Sequence, residues 1–128
     1  LAHATSIRGE VSELTAASLL LTELGWEVSR PIVAECYDLL GRDPETGEYH
    51  RVQVKTARRR ADRENQPVIY ATKNSGEAYS TNEIDYIIGI EGSIGYFFEC
   101  RGKKEYWLNE NNSDTTATKY IKLGGAAD

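Results

Sequence analysis

Three polar residues of one hairpin stand where a core would prefer none. The stretch YDLLGRDPETGEYHRVQVKT, residues 37–56, has two apolar runs around a turn. Alternation along its second arm puts Val52 and Val54 on one face, with Arg51, Gln53 and Lys55 on the other. In the first arm Asp38 lies between Tyr37 and Leu39, a position disfavoured for Asp by strand propensity and by desolvation. If the arms pair, a carboxylate, an amide oxygen and an ammonium converge in one partly buried place. The segment upstream offers a fourth member, because at 100° per residue Ala17, Leu20 and Leu24 fall within about 40° of Glu13. A carboxylate in the middle of an apolar stripe costs several kcal/mol unless a bound cation or a cluster of donors offsets it. Glu10 lies about 60° away on the flank, within reach of solvent or arginine, so Glu13 is the preferred candidate. Plain readings compete: Asp38 and Lys55 as a cross-hairpin ion pair, worth about 0–1 kcal/mol if exposed, and Glu13 bonded to Arg30 or the helix start.

These residues need elements to carry them. EVSELTAASLLLTEL, residues 10–24, reads as a helix with Thr5 or Ser6 near its start and Gly25 just past its end. WEVSRPIV reads as a short strand ended by Pro31. The hairpin arms are expected at 36–41 and 49–57, joined by RDPETGE, where Pro44 suits the second turn position and Gly47 supplies positive φ. PVIYAT, IDYIIGIEG, GYFFEC and KEYWLN are further strand candidates, KNSGEAYSTNE a loop or short capped turn, and KYIKL a last strand. NENNSDTTAT reads as polar loop and GGAAD as a loose tail. A leading helix followed by a strand meander predicts an α/β fold with a mixed sheet flanked by helices.

Length allows one domain, residues 1–128, with a core at about 8–108 and a polar extension over 109–128. No apolar run approaches the roughly 20 residues of a membrane span, and LAHATSIRGE lacks a secretory pattern, so an intracellular, cytoplasmic home is expected. Cys36 and Cys100 lack metal-ligand spacing and read as buried free thiols, while His3 and His50 read as surface residues. The net charge of −5 argues against a nucleic-acid partner until its distribution is considered. Between Arg51 and Arg63, six cations (Arg51, Lys55, Arg58, Arg59, Arg60, Arg63) face Asp62 alone, so this segment is +5 and the remainder −10. Counterion release rewards local cation density, so such a stripe suits phosphate binding; a solvated charge run is the bland alternative.

Glu13, Asp38, Gln53 and Lys55 resemble the PD-(D/E)XK nuclease superfamily in its QxK variant: a helix acid, then an Asp, then an acid or Gln two residues before a Lys. GEVSELTAASLLLTELGWEVSRP, YDLL, YHRVQVKTA and NEIDYIIGI are similar to the small endonuclease family that includes group I intron homing endonucleases, relatives of archaeal Holliday-junction resolvases. The chain departs from the pattern by Tyr37 where Pro is common and by Gln53 in place of the commoner acid; Asp43 and Glu45 in RDPE are a decoy in the turn. The resemblance implies a restriction-endonuclease-like fold and Mg²⁺-dependent hydrolysis of DNA, with Mn²⁺ as substitute and products bearing a 5′-phosphate and a 3′-hydroxyl. It further implies Asp38, the Gln53 side chain and the Val54 carbonyl as metal ligands, Glu13 acting through water, and Lys55 orienting the attacking water. Arg51, Arg58, Arg59, Arg60 and Arg63 would hold backbone phosphates, with Lys73 or Asn74 adding contacts.

The resemblance implies a prokaryotic or phage setting, double-stranded or branched DNA as partner, and no organic cofactor. A body this small covers little DNA, so a homodimer or higher oligomer is expected, with the aromatic run Tyr96–Phe98 as a possible interface. Trp26, Tyr96, Phe97, Phe98, Tyr106 and Trp107 are otherwise core aromatics, and Asp85 a cap for local backbone donors. The alternative function is a DNA-binding module that keeps this fold without cleavage; a junction resolvase is a third reading.

Overall fold

The computed structural model describes residues 3–109 and 117–125. Helix α1 spans Ala4–Glu23, beginning well before the expected Glu10. It buries Ser12, Ala16, Leu19 and Leu20, the i, i+4, i+7, i+8 positions of one face. Gly25, at φ +69, takes the left-handed conformation that ends the helix, and the Trp26 N–H reaches back to the Leu20 carbonyl at 3.1 Å.

Nine strands follow: β1 (Glu27–Ser29), β2 (Leu39–Arg42), β3 (Tyr49–Thr56), β4 (Arg58–Arg60), β5 (Gln66–Tyr70), β6 (Tyr86–Glu91), β7 (Ile94–Glu99), β8 (Glu105–Trp107) and β9 (Ile121–Gly124). Six of them form one sheet in the order β1-β2-β3-β6-β7-β9, in which only β3 and β6 run parallel. The other three form a small antiparallel sheet, β4-β5-β8. The α/β class and the mixed sheet are as expected, and the β2–β3 turn is closed by Gly47 at φ +77, whose N–H bonds the Asp43 carbonyl at 2.7 Å.

Helix α1 covers one face of the large sheet, and the small sheet, not a second helix, covers the other. On the helix side Ala16, Leu19 and Leu20 pack with Leu39, Val52, Val54, Ile88, Ile90, Phe97 and Leu123. On the far side Ile87, Tyr96 and Phe98 pack with Ile69, Tyr106 and Leu108. Strands β6 and β7 are thus buried on both faces, which explains their near-continuous apolar runs. Close approach of the sheets needs Gly89, since a Cβ there would collide with the Ile69 side chain.

Several sequence expectations are corrected by this packing. Tyr96, Phe97 and Phe98 are 1%, 5% and 3% exposed, so they line the two cores and offer no interface. Cys36 is exposed and its Sγ donates to Glu83 at 3.1 Å, whereas Cys100 is buried. His50 is no surface residue: it is half-buried and stacks on Trp26 at 4.8 Å between ring centroids. Trp26 and Trp107 are only half-buried. Most of the polar NENNSDTTAT segment and the last three residues lie outside the described residues. No helix among the described residues is long and apolar enough to cross a membrane.

Candidate active site

The site forms where β2 has just ended. Leu39 pairs with Val52 at the end of the β2–β3 ladder, and Asp38 stands just before that last pair. The Asp38 N–H donates to the Val52 carbonyl at 3.0 Å, and its Oδ2 accepts the Val54 N–H at 2.9 Å. The carboxylate therefore takes the place that the next β2 carbonyl would have had. Backbone groups of residues two apart point to the same strand edge, so the Val54 carbonyl faces this same space beyond the end of β2.

Val52 and Val54 pack under α1, so alternation turns Gln53 and Lys55 to the opposite face. Gln53 is only 7% exposed, and its amide forms no hydrogen bond with the described residues. Among the described residues no fully enclosed side-chain polar atom lacks a partner, so the Gln53 amide keeps access to the cleft. Lys55 is half-buried, and its ammonium has neither an ion pair nor a hydrogen bond among the described residues. It lies over the ring of Tyr79, with Nζ 5.4 Å from the centroid. A direct Asp38–Lys55 ion pair is thus absent, although the Asp38 charge acts on Lys55.

Glu13 approaches from the helix side. The Ser12 hydroxyl, one residue earlier, shares a 2.8 Å hydrogen bond with Thr56, one residue past Lys55, and fixes α1 to the end of β3. Glu13 lies on the rim of the buried helix face, its side chain 22% exposed. Arg30 spans both helix acids, with Nη2 at 2.6 Å from Glu10 and Nε at 3.0 Å from Glu13. The alternative of a Glu13–Arg30 pair is therefore realised, while Asp38 lies near enough to act on Glu13 electrostatically.

Burial dominates the electrostatics of this cluster. Burial pushes the Asp38 carboxyl above its ordinary value, against the Val54 N–H, Lys55 and Arg30, which pull it down. Glu13 is likewise raised by burial and then by Asp38, against Arg30. Lys55 is lowered by burial, against the Asp38 charge. Burial thus disfavours the charged form of all three groups, and a cation arriving beside the carboxylates would favour their ionised forms. Among the described residues no three of His, Cys, Asp and Glu cluster as metal ligands. Any ion here would depend on amide and carbonyl oxygens as well as carboxylates.

Most of the basic stripe carries intramolecular partners. Arg51 bonds Asp85 through Nε and Nη2, both at 3.1 Å, and Asp85 also accepts the Arg51 N–H at 2.7 Å. Asp85 thus caps a donor from β3 and not a local one. Arg59 grips Glu91 through two bonds of 2.7 Å. Arg60 binds Asp62 and the Tyr70 hydroxyl, and Lys73 lies 2.6 Å from Glu83. Lys73 and further donors hold Glu83 down to about 2. Arg58 and Arg63 have no acidic partner among the described residues; Arg63 lies over the Trp107 ring at 4.8 Å. Tyr79 and its contact with Lys55 carry no signal in the sequence, since a loop tyrosine has no period to betray it.

A helix-covered mixed sheet with this polar cluster where β2 ends beside β3 has the restriction-endonuclease-like architecture. The family model for PD-(D/E)XK endonucleases matches residues 3–98, and the chain belongs to that family. The fold is similar to that of a bacterial homing endonuclease, I-Ssp6803I, with a TM-score of 0.67 and 21% identity over 91% of this chain and 86% of that one. No curated protein matches the chain significantly in sequence.

Proposed function

We propose that the protein is a Mg²⁺-dependent endodeoxyribonuclease, homing-endonuclease-like or resolvase-like, which hydrolyses phosphodiester bonds in double-stranded or branched DNA. The observation that carries this reading is the Asp38 carboxylate seated on the Val54 N–H, with its charge acting on the Lys55 ammonium, which forms no ion pair among the described residues. The surrounding donors are all oxygens: the Asp38 carboxylate, the Gln53 amide and the Val54 carbonyl, with Glu13 acting through water. Such a set fits a hard dication such as Mg²⁺, or Mn²⁺ in its place, and not the nitrogen and sulfur ligands of zinc. A dication held there supplies Lewis-acid polarisation of the scissile phosphate and a more acidic water. Lys55 orients that water and stabilises charge developing on the phosphoryl oxygens. Arg58 and Arg63 are the cations most ready to meet backbone phosphates, because Arg51, Arg59, Arg60 and Lys73 must first give up ion pairs.

Two copies acting together would let so small a body cover a longer site. Ile7, Val11, Leu14 and Leu21 are each more than half exposed, and their i, i+4, i+7, i+14 spacing makes an apolar seam on the outer face of α1 that supports self-association. Action on DNA implies an intracellular home. The competing reading, a binding module without cleavage, draws support from Arg30 occupying Glu13 and from the neutral Gln53. Incubating the protein with supercoiled plasmid, linear duplex and four-way junctions, with Mg²⁺ or with EDTA, separates these readings. The nuclease reading expects Mg²⁺-dependent nicking, whereas tight binding with no cut on any substrate establishes the module.

A further inference from the structure

We propose that Tyr79 is a positioning residue for Lys55, holding the ammonium against its ring face at the edge of the cleft. This inference rests on the nuclease reading for its catalytic meaning. Three observations carry it. Among the described residues Lys55 lacks the anionic contact that usually anchors a half-buried lysine, and its Nζ lies over the Tyr79 ring, 5.4 Å from the centroid. A cation over an aromatic face is attracted by the ring quadrupole, and more strongly where water is partly excluded. A ring also holds an ammonium without neutralising it, which leaves its full charge for a phosphate; a carboxylate partner would not.

The loop that carries Tyr79 is tied down at several points. Thr72 bridges Ala78, and the Lys73 N–H bonds the Glu77 carbonyl at 2.8 Å. Glu83 gathers the Lys73 ammonium at 2.6 Å, the Ser80 N–H at 2.9 Å and the Cys36 thiol at 3.1 Å. The Tyr79 carbonyl accepts the Cys100 thiol at 3.5 Å, and the ring packs against the cluster between the sheets. Cys36 stands two residues before Asp38, so the Glu83 knot ties the tyrosine loop to the segment that delivers the carboxylate. Lysine, aspartate and tyrosine are thereby held in one frame.

The test uses the full chain and the variants Tyr79→Leu, which keeps apolar volume, and Tyr79→Phe, which keeps the ring. With Mg²⁺ and saturating plasmid, Tyr79→Leu is expected to lower kcat roughly tenfold, the rate equivalent of a contact of this class. Tyr79→Phe should stay within about twofold, and DNA affinity should be unchanged in both. In parallel, the Lys55 ε-proton resonances report the ring directly: shielded in the parent and in Tyr79→Phe, and at ordinary positions in Tyr79→Leu. Unshielded ε-protons in the parent overturn the proposal. So does full activity of Tyr79→Leu, or a loss in Tyr79→Phe as large as in Tyr79→Leu. Shielded protons in a protein that cleaves no DNA would support the contact and overturn the nuclease reading instead.

Discussion

Gln53→Glu restores the carboxylate that the family pattern commonly carries, and the structure gives it two opposite consequences. Asp38 bonds the backbone on either side of position 53, its N–H to the Val52 carbonyl at 3.0 Å and its Oδ2 to the Val54 N–H at 2.9 Å. Two like charges about 5 Å apart repel by about 3 kcal/mol at an effective dielectric near 20. Asp38 and Glu13 are already raised by burial, and position 53 is only 7% exposed, so the new carboxyl must be raised as well. A carboxyl whose folded pKa exceeds its unfolded value of about 4.3 adds no penalty below that pH, and its penalty grows as pH rises through the folded value. Metal-free Gln53→Glu should therefore match the parent near pH 4 and melt about 5–10 °C lower at pH 8.

With a dication present the sign reverses. A formal charge about 4 Å from a dication contributes on the order of 8 kcal/mol at the same dielectric, before desolvation. If desolvation takes roughly three quarters, about 2 kcal/mol remains, a tightening of about thirtyfold. Differential scanning fluorimetry across pH, without metal and with Mg²⁺, together with calorimetric titration of Mn²⁺, reads both effects. An unchanged pH 8 melting temperature and an unchanged Mn²⁺ affinity would refute the placement of Gln53 beside Asp38 in a cation site.

Lys55→Ala should reduce cleavage at least a hundredfold while DNA binding stays within a few fold; equal losses in a nicking assay and a binding titration contradict its catalytic assignment. Arg58→Ala and Arg63→Ala should each weaken DNA binding and lower the salt slope by about 1, as measured by fluorescence anisotropy over a salt series. Arg51→Ala should instead strand the half-buried Asp85 and cost about 1–3 kcal/mol in urea denaturation. Gly89→Ala, by pushing a Cβ into Ile69, should destabilise the fold by about 1–3 kcal/mol in the same assay, since neither sheet can retreat without opening the shared core.

The sequence carried the β2–β3 hairpin better than it carried the layers. The period of two in VQVKT fixed β3 within a residue, and Asp38 among apolar neighbours announced that the β2 arm ended in something other than core. Strand β4 escaped notice because three consecutive arginines have no strand signature; they become a strand only because β5 pairs with them, Arg58 opposite Val68. The second sheet was invisible for a related reason. Apolar runs such as YIIGIE and IGYFFE declare that both faces are covered but do not say by what. The intramolecular partners of the basic stripe were hidden because two of its neutralising acids lie far along the chain, Glu91 for Arg59 and Asp85 for Arg51. Local charge counting sees neighbours in sequence, whereas these pairs are brought together only by the fold, which lays β6 alongside β3 and the strand that follows it.

Crystals soaked in Mn²⁺ and measured at the manganese absorption edge test the central claim most directly. The expected result is one anomalous peak per chain, bounded by Asp38, the Gln53 amide oxygen and the Val54 carbonyl, with Glu13 reaching it through water and Lys55 alongside. A peak elsewhere, or none at saturating Mn²⁺ with the Glu13–Arg30 pair intact, would contradict it.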